Sequence, residues 1–308
     1  MPQPEPKLKA IPTALVQEAS IAGLLSFFDS FARITVLSGA GCSTSSGIPE
    51  YRDDAGNWKH RKPVQLAEFL ASAVTRQRYW ARSFAGWNRV ANAKPNHAHL
   101  ALAELERLQR IDCLITQNVD NLHRLAGSRN VIDLHGVLHR VRCLDCRAAI
   151  PRGQVQQQLA ALNPDWTATV AGFAPDGDAR VDIRDFRGFR IPVCESCGGT
   201  LKPDVVFFGE GVPGQRVESA TLSVHRSDAL LIVGSSLMVL SGLRFARMAN
   251  ALNKPVVIIN RGTTRADDLA TSKLTDDCGT LLSSVVDRLA KGQYGNARQG
   301  NGQLDGRI

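Results

Sequence analysis

The 308-residue sequence contains no run approaching 18 apolar residues, so it predicts no membrane-spanning helix. Its first twenty residues, MPQPEPKLKAIPTALVQEAS, lack the apolar core of a secretory signal. They also lack arginine, the first being Arg33, and carry Glu5, a poor pattern for an organellar presequence. The expectation is a soluble, cytoplasmic protein. There is no dense Lys/Arg block and no interleaving of basic with aromatic residues, so no specific nucleic-acid module is seen. The net charge is nonetheless +8, from 37 Lys and Arg against 29 Asp and Glu. Such a balance favours acidic partners, nucleotides among them; the plainer reading is a solvated face of scattered arginines. No internal repeat occurs. What is present is a globular composition, 44% hydrophobic and 21% charged, in a length that suits one large domain or two modest ones.

Five short apolar runs read as buried parallel strands: RITVLSG (33–39), CLITQN (113–118), VIDLHG (131–136), ALLIVGSS (229–236) and PVVIIN (255–260). Each is leucine-rich or β-branched, lacks strict alternation and ends in small or polar residues. Helical patterns lie between or after them, at 99–110, 241–253 and 280–292, the last with Gly292 as its stop. This alternation predicts an α/β fold with a doubly wound, Rossmann-like parallel sheet. Two stretches break the rhythm and read as insertions. The expected division is therefore a sheet domain of 1–46, 95–138 and 204–292, an inserted helical module of 47–94, a metal-binding module of 139–203 and a disordered tail of 293–308.

The seven cysteines are odd in number and follow no secretory signal, so a disulfide framework is not indicated. Four form two C-x-x-C pairs, Cys143/Cys146 and Cys194/Cys197. Four thiolates give closed tetrahedral coordination, which reads as one structural zinc ion. Two disulfides or a redox pair are the alternatives. The 47 residues between the pairs exceed what a minimal ribbon needs, so a loop must bulge out.

SGAGCSTSSGIPEYRD (38–53) follows the first strand. Gly39 and Gly41 let a ligand approach the main chain, and a helix N-terminus beyond them would offer N–H groups to a pyrophosphate. The spacing departs from G-x-G-x-x-G, because Gly47 comes six residues after Gly41. No acidic residue stands at the end of the next strand, so Asn260 becomes the candidate for ribose.

GAGCSTSSGIPEYR, TQNVDNLH (116–123), LHG (134–136), the two cysteine pairs, LKPDVVFFGE (201–210), GSSLMV (234–239) and IINRG (258–262) occur in the order of the sirtuin family, and the chain resembles that family from about residue 30 to 290. PVQLAEFL, RQRYWARSFAGW and LNPDWTATVAGFAPDGD resemble its class II members. The resemblance implies an NAD-dependent protein-lysine deacylase. In that chemistry the acyl oxygen attacks the ribose carbon as nicotinamide leaves; a ribose hydroxyl then attacks the acyl carbon, giving free lysine and O-acyl-ADP-ribose. It implies that His135 is the general base, and that Asn118 and Asp120 position nicotinamide with Gln117 near its ribose. Helix capping is the plain alternative for Asn118 and Asp120, and His123 and His139 are weaker base candidates. It further implies pyrophosphate at Gly39, Ala40, Gly41 and Ser43, Tyr51 and Arg52 ordering the loop above, and adenosine near Gly234, Ser235, Ser236, Asn260 and Cys278.

An acyl-lysine peptide would add as a strand between VVFFGE and LMV, touching Val206, Phe208, Gly209 and Met238. For Val206 the plain reading is a buried strand end. Residues 53–63 lack the Tyr-x-x-Arg pair of desuccinylating members, and Tyr79-x-x-Arg82 reads as helical stacking. Class II resemblance suggests bulky acyl groups. Mono-ADP-ribosyl transfer to protein is the enzymatic alternative, and a zinc-ribbon adaptor for NAD or nucleic acid is the non-enzymatic one.

Overall fold

The computed structural model describes residues 20–59, 63–174, 176–182 and 186–299, with side chains as far as 291. In chain order its first elements are α1 (Ile21–Ser30), β1 (Ile34–Ser38), α2 (Leu66–Ala71), α3 (Ala73–Asn92), α4 (His97–Arg107), β2 (Cys113–Thr116), α5 (Leu122–Leu125) and β3 (Val131–Asp133). There follow β4 (Gly136–Cys143), β5 (Ala149–Pro151), α6 (Arg152–Leu162), β6 (Val170–Phe173), β7 (Ala179–Val181) and β8 (Leu201–Val205). The chain closes with α7 (Gly214–Arg226), β9 (Ala229–Val233), α8 (Leu240–Ala251), β10 (Val256–Ile259), β11 (Ser272–Leu274) and α9 (Cys278–Gln299).

The five apolar runs form a six-stranded sheet with β11, a strand too short and polar to stand out in the sequence. Its order is β11-β10-β9-β1-β2-β3 and every pairing is parallel. Successive strand side chains point to opposite faces, and the core follows that alternation. Ile34, Val36, Leu231 and Val233 face α1, α4 and α9 through Phe27, Phe28, Leu102, Leu105, Leu282 and Val285. Leu37, Leu230 and Ile232 face α7 and α8 through Val224, Leu243 and Phe245. Both faces are thus covered, as a parallel sheet requires. The chain winds outward from β1 through β2 and β3, then returns to lay β9 on the other side of β1, which opens a crevice at the carboxyl end of those two strands.

The two insertions share one core. Phe69, Tyr79 and Trp80 of α2 and α3 pack with Val155, Leu159 and Phe189 and with Val141, Leu201 and Val205 of the antiparallel sheet β5-β4-β8. The expected boundaries at 138/139 and 203/204 therefore cut through β4 and β8, because a sheet cannot be split between modules. The expected bulge between the cysteine pairs is α6 followed by the hairpin β6–β7. In it, Arg152 is buried with its guanidinium 4.7 Å from the Trp87 ring centroid and Nη1 donating to Gln156 Oε1 at 2.7 Å. Burial pushes its pKa down to about 10. Tyr79 and Arg82 lie one turn apart on α3 and make separate contacts: Tyr79 is buried among aromatics and Arg82 Nε donates to the Ala179 carbonyl at 3.0 Å. The closing helix does not stop at Gly292 but runs to Gln299, so residues 293–299 of the expected tail belong to it. Residues 1–19 and 300–308 lie outside the described residues.

Candidate active site

A cavity of about 300 Å³ occupies the crevice. Five strand ends of the large lobe bring side chains to it. After β1 come Gly39, Ala40 and Gly41; after β2, Gln117 and Asn118; after β3, His135. Gly234, Ser235, Ser236 and Met238 follow β9, Asn260 follows β10, and Cys278 begins α9. The small lobe adds Tyr51, Arg52 and Phe208. Ser43, Asp120, Val206 and Gly209 are not among the lining residues.

The turn after β1 explains part of that difference. No α-helix follows it; two 3₁₀ turns do, Ala40–Cys42 and Thr44–Ser46. Four of its N–H groups are already engaged, Gly39 to the Val233 carbonyl at 3.0 Å, Gly41 to Gly234 at 2.8 Å, Cys42 to Gly39 and Ser43 to Ala40. The expected helix N-terminus for a pyrophosphate is therefore replaced by a loop stitched to the end of β9. The stitch needs glycine: a Cβ on Gly41 would lie 3.0 Å from the Gly234 carbonyl oxygen.

Ser43 and Asp120 stand behind this wall. Ser43 is 1% exposed and Asp120 4%. The Ser43 hydroxyl donates to Asp120 Oδ2 at 2.7 Å, and Asp120 Oδ1 accepts the Leu122 N–H at 2.9 Å. Burial raises the Asp120 pKa against these bonds. Asp120 thus caps the turn at Leu122 and braces Ser43, and it is not among the residues that line the cavity. Asn118 does face the cavity, and its Nδ2 donates to the Gly39 carbonyl at 2.9 Å and to Ser43 Oγ at 3.0 Å. Gln117 Nε2 donates to Ser235 Oγ at 2.8 Å, tying β2 to β9 across the crevice.

His135 is half-buried at the cavity wall. Its Nδ1 lies 2.9 Å from the Gln117 carbonyl oxygen and its Nε2 2.8 Å from Ser241 Oγ. Burial, chiefly, lowers its pKa, with Arg216 acting in the same direction and the Gln117 bond opposing. The ring is therefore neutral near pH 7. Neither other candidate base competes: His123 is buried with Nε2 2.8 Å from Ser38 Oγ, and the His139 ring packs edge-on to Trp87.

A roof closes over the cavity. Arg52 Nη1 donates to the Gly56 carbonyl at 2.7 Å while its guanidinium carbon sits 4.1 Å from the Trp58 ring centroid. Tyr51, Trp58 and Phe208 pack mutually with centroids 5.7 to 6.1 Å apart. The Thr263 N–H then bonds the Asp54 carbonyl at 3.0 Å, fastening the roof to the loop after β10. Sequence reasoning missed Trp58 and Thr263 as lining residues. An aromatic in an otherwise polar stretch was the available signal for Trp58; Thr263 carried none.

Val206 lies on the chain just behind the cavity, its N–H bonded to the His135 carbonyl at 2.8 Å. Its side chain is half-buried. Gly209 is exposed at φ +78°, turning the chain away after Phe208.

The four paired cysteines converge in the small lobe. Cys143 Sγ is 3.5 Å from Cys197 Sγ, Cys146 Sγ is 3.6 Å from Cys194 Sγ, and all four sulfurs lie within 4.8 Å of one another. Zinc–sulfur bonds of about 2.3 Å in a tetrahedron place sulfurs about 3.8 Å apart, so the set fits zinc. None of the four is in a disulfide. A second trio, Cys42, His99 and His123, also falls within 4.8 Å. Its hydrogen bonds oppose a metal: His99 Nδ1 accepts the Asn96 N–H at 3.3 Å, which leaves the ring proton on Nε2, 3.3 Å from Ser43 Oγ.

The family model described as the Sir2 family matches residues 39–241. The chain belongs to the Sir2 family. Among Sir2-family relatives, NAD-dependent protein deacetylase 2 of Bradyrhizobium diazoefficiens is 53% identical over 254 residues, covering 82% of this chain and 93% of that one. The NAD-dependent protein lipoamidase sirtuin-4, mitochondrial, of Bos taurus is 46% identical over 280 residues, covering 90% and 89%. A solved Sir2 complex with a p53 peptide and NAD+ superposes with a TM-score of 0.73 at 27% identity, covering 88% of this chain and 99% of that one. A Sir2 homologue–NAD complex gives 0.67 at 30% identity, covering 87% and 93%.

Proposed function

We propose that this Sir2-family chain is an NAD-dependent protein-lysine deacylase, with deacetylation as its reference reaction. The observation that carries this reading is the His135 imidazole on the wall of a cavity at the switch point of the sheet, its Nδ1 held by the Gln117 carbonyl, with Asn118 lining the same cavity. Bound NAD supplies a ribose carbon with nicotinamide as leaving group. The chain's part is to hold, exclude water and move one proton. Gln117 and Asn118 fix the floor, the Arg52–Trp58 roof covers it, and His135 takes the proton of a ribose hydroxyl at Nε2. General base catalysis of this kind is worth roughly 10²–10⁴ in rate. Gly39 to Gly41, Gly234 to Ser236, Asn260 and Cys278 contact the dinucleotide, and Phe208 and Met238 the acyl-lysine. Ser43 and Asp120 act from behind the wall. The Cys143, Cys146, Cys194 and Cys197 thiolates hold one zinc ion that braces the small lobe and does no chemistry, since all four positions are filled.

The class II resemblance, with the lipoamidase name of the bovine relative, extends the substrate range to bulky acyl chains. We assign 47–94 together with the segment from β4 to β8, 136–205, as the lobe that carries the peptide side of the cleft, and place the protein in the cytoplasm. Among the described residues no helix is long and apolar enough to cross a membrane.

The test is incubation with NAD and a panel of acyl-lysine peptides, read by mass spectrometry. Nicotinamide and O-acyl-ADP-ribose should form together, and His135→Ala should lower the rate about 100-fold or more. Labelled adenine left covalently on protein, without O-acyl-ADP-ribose, would replace the reading with ADP-ribosyl transfer. Tight NAD binding with no nicotinamide released across the panel would end the enzymatic reading.

A further inference from the structure

The Gln117 carbonyl can only accept, so the His135 proton is on Nδ1 and Nε2 presents its lone pair. Ser241 Oγ, 2.8 Å from that lone pair, must therefore donate to it. The ring is held at both ends, by the backbone after β2 and by the first turn of α8. These two supports are themselves packed together. A Cβ on Gly242 would collide with Oε1 of the Gln117 side chain, so the α8 turn rests directly on the residue whose carbonyl fixes Nδ1. Gln117 is in turn anchored by its own N–H to the Ser38 carbonyl at 3.1 Å.

We propose that Ser241 is a positioning residue for the base. Its hydroxyl occupies Nε2 in the resting enzyme, as a substrate hydroxyl does in turnover, and afterwards accepts the proton-bearing Nε2–H of the imidazolium. The consequence for turnover rests on the deacylase reading; the contact itself does not. The balance is simple. The ribose O–H bond breaks and an N–H bond forms at Nε2. The ribose oxygen moves on to the acyl carbon, and Ser241 Oγ returns to accept the new N–H. A hydroxyl suits this place because it can donate to the bare Nε2 and accept from the protonated one. A lone pair takes one strong donor at a time, so Ser241 must give way as substrate enters, a change within reach of its staggered rotamers.

The role is distinguishable from packing. A hydrogen bond to the charged ring is stronger than one to the neutral ring, so removing the hydroxyl costs the imidazolium more. The charged group that acts on His135, Arg216 of α7, paired with Asp204 at 3.2 Å, is untouched by the substitution. Full-length wild type, Ser241→Ala and Ser241→Thr are compared with ¹⁵N-histidine labelling, His135 being assigned from His135→Gln. Wild type should show Nδ1 protonated and Nε2 as acceptor. Ser241→Ala should move the His135 titration downward by about half a unit or more and lower kcat about three- to tenfold, with KM for NAD within about twofold. Ser241→Thr should restore both. A wild-type ring protonated on Nε2 overturns the proposal even if Ser241→Ala fails to fold. So does a His135 titration and kcat unchanged in Ser241→Ala. Wild type inert on every acyl peptide, with the NMR shifts as expected, sinks the deacylase reading and leaves the Ser241 contact standing.

Discussion

His99 and His123 lie with ring centroids 4.8 Å apart, both buried. Burial depresses the pKa of His99 from 6.5 to about 4 and that of His123 well below its ordinary value. An unfolded chain therefore binds protons that the folded chain refuses between about pH 6.5 and 4. Stability present above pH 6.5 is lost as the pH falls through that window, at up to about 1.4 kcal/mol per unit for each group. Urea unfolding should show the midpoint dropping from pH 7 to 4.5, with a shallower slope in His99→Gln. A slope unchanged in that variant would place the acid sensitivity elsewhere. Gly234 is the other residue whose identity is dictated locally. Its φ is +60° and a Cβ there would strike the backbone N of Cys42. Gly234→Ala should cost about 1–3 kcal/mol in backbone strain and, by pushing the Gly39–Cys42 loop off β9, weaken NAD binding about tenfold by calorimetry.

At the scale of elements, α3 is the joint between the two insertions. Trp80 on it is 1% exposed, packs edge-on to Tyr79 and donates Nε1–H to the Leu201 carbonyl at 3.3 Å. Trp80→Ala should destabilise by about 3–5 kcal/mol, the cost of a large buried cavity. Because α3, α6 and β8 share that core, thermal melting should show the loss in the small lobe first, and limited proteolysis should cut within 147–193 before the large lobe opens. Proteolysis confined to 60–63 instead would mean that the two insertions are independent. The helices and strands of the large lobe were mostly legible as apolar runs with the right period. Those of the small lobe were not. Its strands β6 and β7 are partly exposed and short, and their pairing depends on Gly172 and Gly177 turning the chain against α3. α1 and α7 also escaped notice, since their apolar faces become meaningful only against the sheet they cover.

For the whole molecule, the zinc ion and the cleft are one problem. The four thiolates clasp β4 to β8, and these strands lead directly to His135 at one end and Phe208 at the other. Metal analysis should find one zinc per chain. Removal with a chelator and a thiol-reactive agent should lower Tm by several degrees and abolish activity together, with zinc restoring both. Activity surviving complete zinc loss would separate the clasp from the cleft.

The sequence alone determined the parallel sheet, the four-cysteine centre and, through motifs that resemble a known family, the placing of Gln117 and Asn118 after β2 and of His135 after β3. Periodicity, C-x-x-C spacing and contiguous motifs are local signals that need no partner to be read. Tertiary structure decided the rest. It set Ser43 and Asp120 behind the wall and joined the two insertions into one core. It also brought Ser241, 106 residues from His135 in the chain, to the lone pair of the base. Those outcomes depend on which surfaces meet when the chain returns to β1, and contacts between distant segments leave no periodic trace in either segment by itself.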